Sequence, residues 1–225
     1  LHKEYRPAAS DVYKRQINSS VSGNLTLTVG GDNRNTTFSG VLENGNATSI
    51  SLIKQGSGTL TLSGSNTYTG ATTISNGTLA ITNPSALGSP AQGTLINSNA
   101  YLDLQNVSAI GEAIQLNGGV LKTSTGESSL TGNINLISNG AIHVYGTKLT
   151  LNGTINGAYE LTTSGSGVLE LKGVIGDSTP ITSLLAYSPI NLSANITARD
   201  SITFSDSVIL QENVIVTATG GTIAS

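Results

Sequence analysis

Short segments in which apolar and small polar residues alternate recur from Ile17 to the C-terminal end, and this period of two constrains the fold more than any other feature. Asn24-Leu25-Thr26-Leu27-Thr28-Val29, Thr59-Leu60-Thr61-Leu62, Lys148-Leu149-Thr150-Leu151 and Val168-Leu169-Glu170-Leu171 are four examples. Alternation places Leu and Ile on one face of a strand and Thr, Ser or Asn on the other. Gly and Asn stand at nearly every boundary, where tight turns need positive φ. No stretch holds a helical period, so the chain reads as all-β.

Composition supports many short strands over a compact aromatic core. Only 10% of residues are charged and 4% aromatic, with no Trp and two Phe, so the core must be built from Leu, Ile, Val and Ala. Disordered chains combine low hydrophobicity with high net charge, whereas this one is 37% hydrophobic and carries −3. The weakly acidic balance offers no basic patch to a nucleic-acid backbone. No apolar run reaches the length of a membrane span. With no cysteine there is neither a disulfide nor a thiolate site.

Residues 1–16, LHKEYRPAASDVYKRQ, are unlike the rest and read as a non-native or disordered leader, resembling translated adaptor sequence. They hold four of the ten basic residues and one of the two histidines, His2. The absence of methionine and of a signal-peptide pattern marks the chain as an internal piece of a longer polypeptide, so export cannot be judged from its start.

Repetition chooses among all-β architectures. The run Leu52 to Gly64 aligns without a gap on Leu161 to Gly173, matching at the Leu and Gly positions. A sandwich has no reason to repeat a strand-turn-strand unit, whereas each coil of a solenoid solves the same packing problem. At about 20 residues per coil, residues 17–225 form nine or ten coils, a rod of about 45 Å at ~4.8 Å per coil.

Residues Gly58 to Gly88 read GTLTLSGSNTYTGATTISNGTLAITNPSALG. This segment resembles the passenger-associated strand repeat of bacterial autotransporters in Gly58, Leu60, Leu62, Gly64, Asn66-Thr67-Tyr68 and Gly70. The likeness continues through Thr72, Ile74, Gly77-Thr78-Leu79 and Ala86-Leu87-Gly88. The repeat is taken as about 52–88, with a weaker copy at about 159–176 that lacks Asn-Thr-Tyr. Ile190 to Ile223 is similar, more loosely, to coils of filamentous-haemagglutinin-like adhesins. The resemblance implies a right-handed single-stranded parallel β-helix exported across a Gram-negative outer membrane to the cell surface or beyond. It further implies an outer-membrane β-barrel translocator in the parent protein and host-cell, bacterial or glycan surface ligands. Within the repeat, Leu60, Leu62, Ile74, Leu79 and Ile81 should point inward, and Gly64, Gly70 and Gly77 should sit at turns. Asn66 or Asn76 should stack with asparagines of neighbouring coils, as in cross-β ladders, or else satisfy its own turn. Tyr68 should lie over a turn with its hydroxyl in water.

No catalytic, cofactor or metal site is evident, and no binding residues can be named. His143 stands alone in an outward position of Ile142-His143-Val144-Tyr145. A polysaccharide-degrading β-helix is the enzymatic alternative, because glycoside hydrolysis needs two carboxylates flanking the sugar bond. The acids available are Asp32, Asp103, Asp177, Asp200, Asp206 and scattered Glu. Asp200 and Asp206 are too far apart on a straight strand and would approach only across a turn. The favoured function is a non-enzymatic stalk of an adhesin passenger. The alternatives are a polysaccharide-binding or polysaccharide-degrading β-helix, or an inert spacer for a missing distal domain.

Overall fold

The computed structural model describes residues 16–225; the leader lies outside them except for Gln16, which hydrogen bonds Glu43. Twenty-five strands follow one another, and among the described residues there is no helix. Every strand-to-strand ladder is parallel. Strands pair with the coil before and the coil after rather than with their sequence neighbours, which makes a β-solenoid.

One inward column counts the coils. Leu27, Leu52, Thr72, Thr94, Ile114, Ile134, Ile155, Ile175, Ile196 and Val216 follow one another in register. These ten rungs meet the expected nine or ten coils. Three walls enclose the core: an eleven-stranded sheet, a seven-stranded sheet, and a five-stranded sheet running from Glu127–Leu130 to Val208–Leu210. A two-stranded pair, Ile17–Ser19 with Leu42–Gly45, forms separately near the N-terminal end.

Alternation translates directly into burial. Ser49–Lys54 and Thr59–Leu62 bury every second residue, and Leu60, Leu62, Ile74, Leu79 and Ile81 are all core residues, as expected. The buried side chains form one continuous cluster from Phe38 to Phe204. Glycines at the corners serve mainly close approach. A Cβ on Gly153 would lie 2.2 Å from the Gly132 carbonyl oxygen, and one on Gly173 would lie 1.9 Å from that of Gly153. Such distances leave no room for a side chain, so glycine recurs at this corner in three successive coils, at 132, 153 and 173.

The gapless alignment has a different meaning in three dimensions. Leu52 to Ile155 spans five coils and 103 residues. An offset of 109 residues therefore overshoots five coils and lands at the next corner. Leu52 lies in the seven-stranded sheet and Leu60 in the eleven-stranded one, whereas Leu161 lies in the eleven-stranded sheet and Leu169 in the five-stranded one. The repeated unit is a corner, usable at more than one edge of the prism.

Candidate functional site

At the strand repeat the third wall has no regular strand, and side chains replace the missing ladder. Asn66, only 3% exposed, accepts the Leu42 amide on Oδ1 at 2.8 Å, in the preceding coil. Its Nδ2 donates to the Ala86 carbonyl in the following coil. Asn66 thus ties three coils through backbone groups, neither stacking on another asparagine nor closing its own turn. The reason is that both faces of its amide meet unpaired backbone. Asn76 is exposed, and its carbonyl accepts Lys54 Nζ. Side-chain pairing of asparagines does occur elsewhere, from Asn117 Nδ2 to Asn97 Oδ1 at 2.9 Å.

Tyr68 corrects another expectation. It is fully buried, and its hydroxyl bonds Thr72 Oγ1 at 2.6 Å rather than water. Burial pushes its pKa up. The Asn-Thr-Tyr and Ala-Leu-Gly elements of the motif meet here, one coil apart. Ala86 O takes the Asn66 amide, Ser89 N donates to Tyr68 O at 2.9 Å, and a Cβ on Gly88 would strike the Tyr68 ring. Gly64 and Gly70 are required for a related reason. A Cβ at either would meet the carbonyl of Gly40 or Ile50, while of the three turn glycines only Gly77 combines contact with positive φ.

Two ionisable groups were not anticipated inside the solenoid. Lys54 takes an inward place between Val29 and Ile74. It is buried and donates to the carbonyls of Gln55, Gly56 and Asn76 at 2.9, 2.8 and 3.2 Å. Burial lowers its pKa to about 8. Glu112 accepts Thr94 Oγ1 at 2.8 Å, and burial raises it to about 7 despite that bond. Thr94 is the register partner of Thr72, so Tyr68, Thr72, Thr94 and Glu112 form a polar seam across neighbouring coils. The signal was present in the sequence: threonines interrupt the aliphatic column at 72 and 94.

The acids considered for catalysis are scattered. Asp32 pairs with Arg34 at 3.8 Å. Asp103 is buried against Ser124, Gln105 and Lys122. Asp177, Asp200 and Asp206 are exposed. Asp200 and Asp206 flank the straight segment Ser201–Phe204 of one strand, so no turn brings them together. Among the described residues no three of His, Asp and Glu gather where a metal could sit. His143 faces outward, edge-on to Tyr145 at 5.7 Å between centroids; burial, then Lys122, lowers its pKa.

The five-stranded wall carries a charge ladder instead. Lys148 stands between Glu127 at 3.5 Å and Glu170 at 4.0 Å, and Lys172 approaches Glu170 at 3.3 Å. A concavity of about 330 Å³ lies over these residues and Thr150. The Thr150 hydroxyl, supported by both lysines, holds the Glu170 carboxyl below its ordinary range. A separate cavity of about 50 Å³ inside the first coils is lined mainly by apolar residues, the buried Phe38, Leu52 and Leu62 and the partly buried Leu27 among them.

Residues 52–81 match the passenger-associated-transport-repeat family. Over 123 residues, 54% of the chain, the sequence is 37% identical to the adhesin BmaC autotransporter of Brucella suis biovar 1 (strain 1330). The chain spans 3% of that relative's length. No solved structure matches it. Residues 52–81 thus carry a passenger-associated transport repeat at the interlocked coils, and about half of the chain is similar to an autotransporter adhesin.

Proposed function

We propose that residues 17–225 are a stalk segment of an adhesin passenger, whose polar outer walls present a repeating surface for adhesion. The supporting observation is ten successive coils in register, with aliphatic columns inside and Thr, Ser and Asn dominating the outer positions. The segment is carried to the cell surface or beyond, across the Gram-negative outer membrane, as a passenger repeat implies. In the parent protein a β-barrel translocator supplies that export, and host-cell, bacterial or glycan surfaces supply the ligand. The role is non-enzymatic.

The test removes whole coils. In the parent protein displayed on a Gram-negative cell, excising 52–154 brings the Leu27 rung beneath Ile155, five coils shorter and still in register. Export should persist while adhesion falls. Unchanged adhesion would leave this segment as a spacer. Cleavage of a polysaccharide by the chain, abolished by Asp200→Asn, would overturn the non-enzymatic role.

A further inference from the structure

The surface aromatics are gathered on one wall. Among the described residues, every tyrosine except Tyr68 belongs to the eleven-stranded sheet or borders it: Tyr101, Tyr145, Tyr187, and Tyr159 just before Leu161–Ser164. The single described histidine, His143, lies there too. Outward positions of the seven-stranded wall carry mainly Thr, Ser, Asn and Gln, and those of the five-stranded wall carry the charge ladder.

Register turns this composition into a track. Asp103, Lys122, His143, Ser164 and Tyr187 occupy one outward column over five successive coils. Tyr101 stands one pleat to one side of it, Gln105, Ser124 and Tyr145 one pleat to the other. Lys122 Nζ sits 5.1 Å from the Tyr101 ring centroid and 3.8 Å from Asp103, so the two charges of this column are paired with each other. Tyr145 and Tyr187 are 55% and 52% exposed.

We propose that this wall binds a neutral, extended, β-1,4-linked pyranose polymer lying along the solenoid axis. The proposal rests on the adhesive reading above and names its ligand class. Three observations carry it. A pyranose presents an apolar C–H face and an equatorial rim of hydroxyls; exposed tyrosine rings offer the electron-rich face that C–H groups seek. Ser164 supplies a short polar group between the rings, and Gln105 and Ser124, which bond Asp103 and each other, add a polar edge beside it. Coils climb ~4.8 Å each, about the advance per sugar of an extended β-1,4-linked chain, so successive sugars meet successive coils. Pairing of Lys122 with Asp103 favours a neutral polymer over an anionic one. The tyrosines stand among small polar residues, while the large exposed aliphatics lie chiefly in the last coils, at Ile209, Leu210, Ile215 and Ile223; a continuous apolar patch of the kind that docks proteins is absent from this wall.

The test is calorimetric titration of the whole chain with cellohexaose and chitohexaose, with maltohexaose, whose α-1,4 linkage curves, as control. At least one β-linked hexasaccharide should bind, its disaccharide should bind at least about tenfold more weakly, and maltohexaose should not bind. The double variant Tyr145→Ala/Tyr187→Ala should lose about tenfold or more in affinity, and Glu127→Ala on the charged wall should lose none. Both tyrosines are exposed, and an unchanged unfolding curve verifies that the double variant is folded. No binding of either β-linked hexasaccharide at millimolar concentration, or equal binding by the double variant, overturns the proposal. Cell adhesion that falls on coil excision but survives the double tyrosine substitution also overturns it, while leaving the adhesin stalk intact.

Discussion

The coils of residues 52–88 and those around 161–175 use the same corner to different ends. In both, an inward polar residue precedes the glycine turn: Lys54 caps the carbonyls that follow it, and Thr163 bonds Ser188 at 2.9 Å. Beyond the turn they diverge. The later corner feeds Val168–Leu171 into the regular five-stranded wall, where backbone ladders and aliphatic columns hold each coil. The earlier one feeds Thr59–Leu62 into the eleven-stranded wall, and the chain then runs into Asn66–Tyr68, where the third wall has no regular strand and a buried polar seam takes over. A solenoid thus tolerates loss of a wall strand where side chains satisfy the backbone groups that the strand would have paired. Among the described residues no buried side-chain polar atom lacks a partner.

The largest expected effect breaks that substitution. Asn66→Ala leaves the Leu42 amide and the Ala86 carbonyl unpaired in a buried site, at a cost of about 2–4 kcal/mol. Hydrogen exchange at Leu42 should accelerate, together with exchange in the adjoining coils, while amides of Leu169 and Leu171 stay protected. Protection at Leu42 equal to the parent chain would mean that Asn66 follows the fold rather than fastening it.

A second substitution sharpens the comparison through pH. The folded pKa of Glu112, about 7, lies above its ordinary 4.5. Below pH 4.5 the group is protonated in both states. Between about 4.5 and 7 the unfolded chain ionises first and binds fewer protons, so stability falls as pH rises, then levels. Glu112→Gln keeps an acceptor for Thr94 and removes this slope, gaining up to about 3 kcal/mol at pH 8. Urea midpoints across pH 4–8 measure it; parallel profiles for the two chains would show that Glu112 does not titrate in this window.

How much of this was legible in the sequence follows from what alternation can encode. Period two names the inward residue at every regular strand, so the all-β class and the burial of Leu60, Leu79 or Ile81 follow from it, while repetition and coil length pointed to a solenoid of nine or ten coils. It carries no information where the strand is absent. Tyr68 and Asn66 sit in such a stretch, and their burial depends on backbone groups about 20 residues away in each direction. Lys54 was hidden for the opposite reason: alternation places it inward, but a lysine is read as a solvent residue unless its carbonyl partners are known. The tyrosine wall was equally invisible, since residues 101, 145 and 187 share a sheet only once coil lengths are fixed.

Lys54 gives a smaller effect of opposite sign to Glu112. Its folded pKa of about 8 lies below 10.5, so between those values the unfolded chain binds more protons and stability rises with pH. Lys54→Met removes the slope. At pH 7 relief of a buried charge opposes the loss of a donor to three carbonyls, leaving a net loss of about 1 kcal/mol. Denaturant titrations at pH 7 and pH 10 separate the two; a variant that retains the rise would assign it to another group.

The smallest effect tests the regular half of the comparison. Glu170 bonds Thr150 at 2.7 Å and faces Lys148 and Lys172 on an open wall. Its lowered pKa means that its contribution is present above the ordinary carboxylate value and is lost as pH falls through the folded one. Solvent and salt screen such pairs, so Glu170→Ala should cost no more than about 0.5–1 kcal/mol, and less at high salt. The Leu149–Leu169–Ile190 column beneath it is untouched by the change. A loss as large as that of Asn66→Ala would mean that the outer ladder, rather than the aliphatic column and backbone pairing, holds these coils, and the contrast between the two corners would fail.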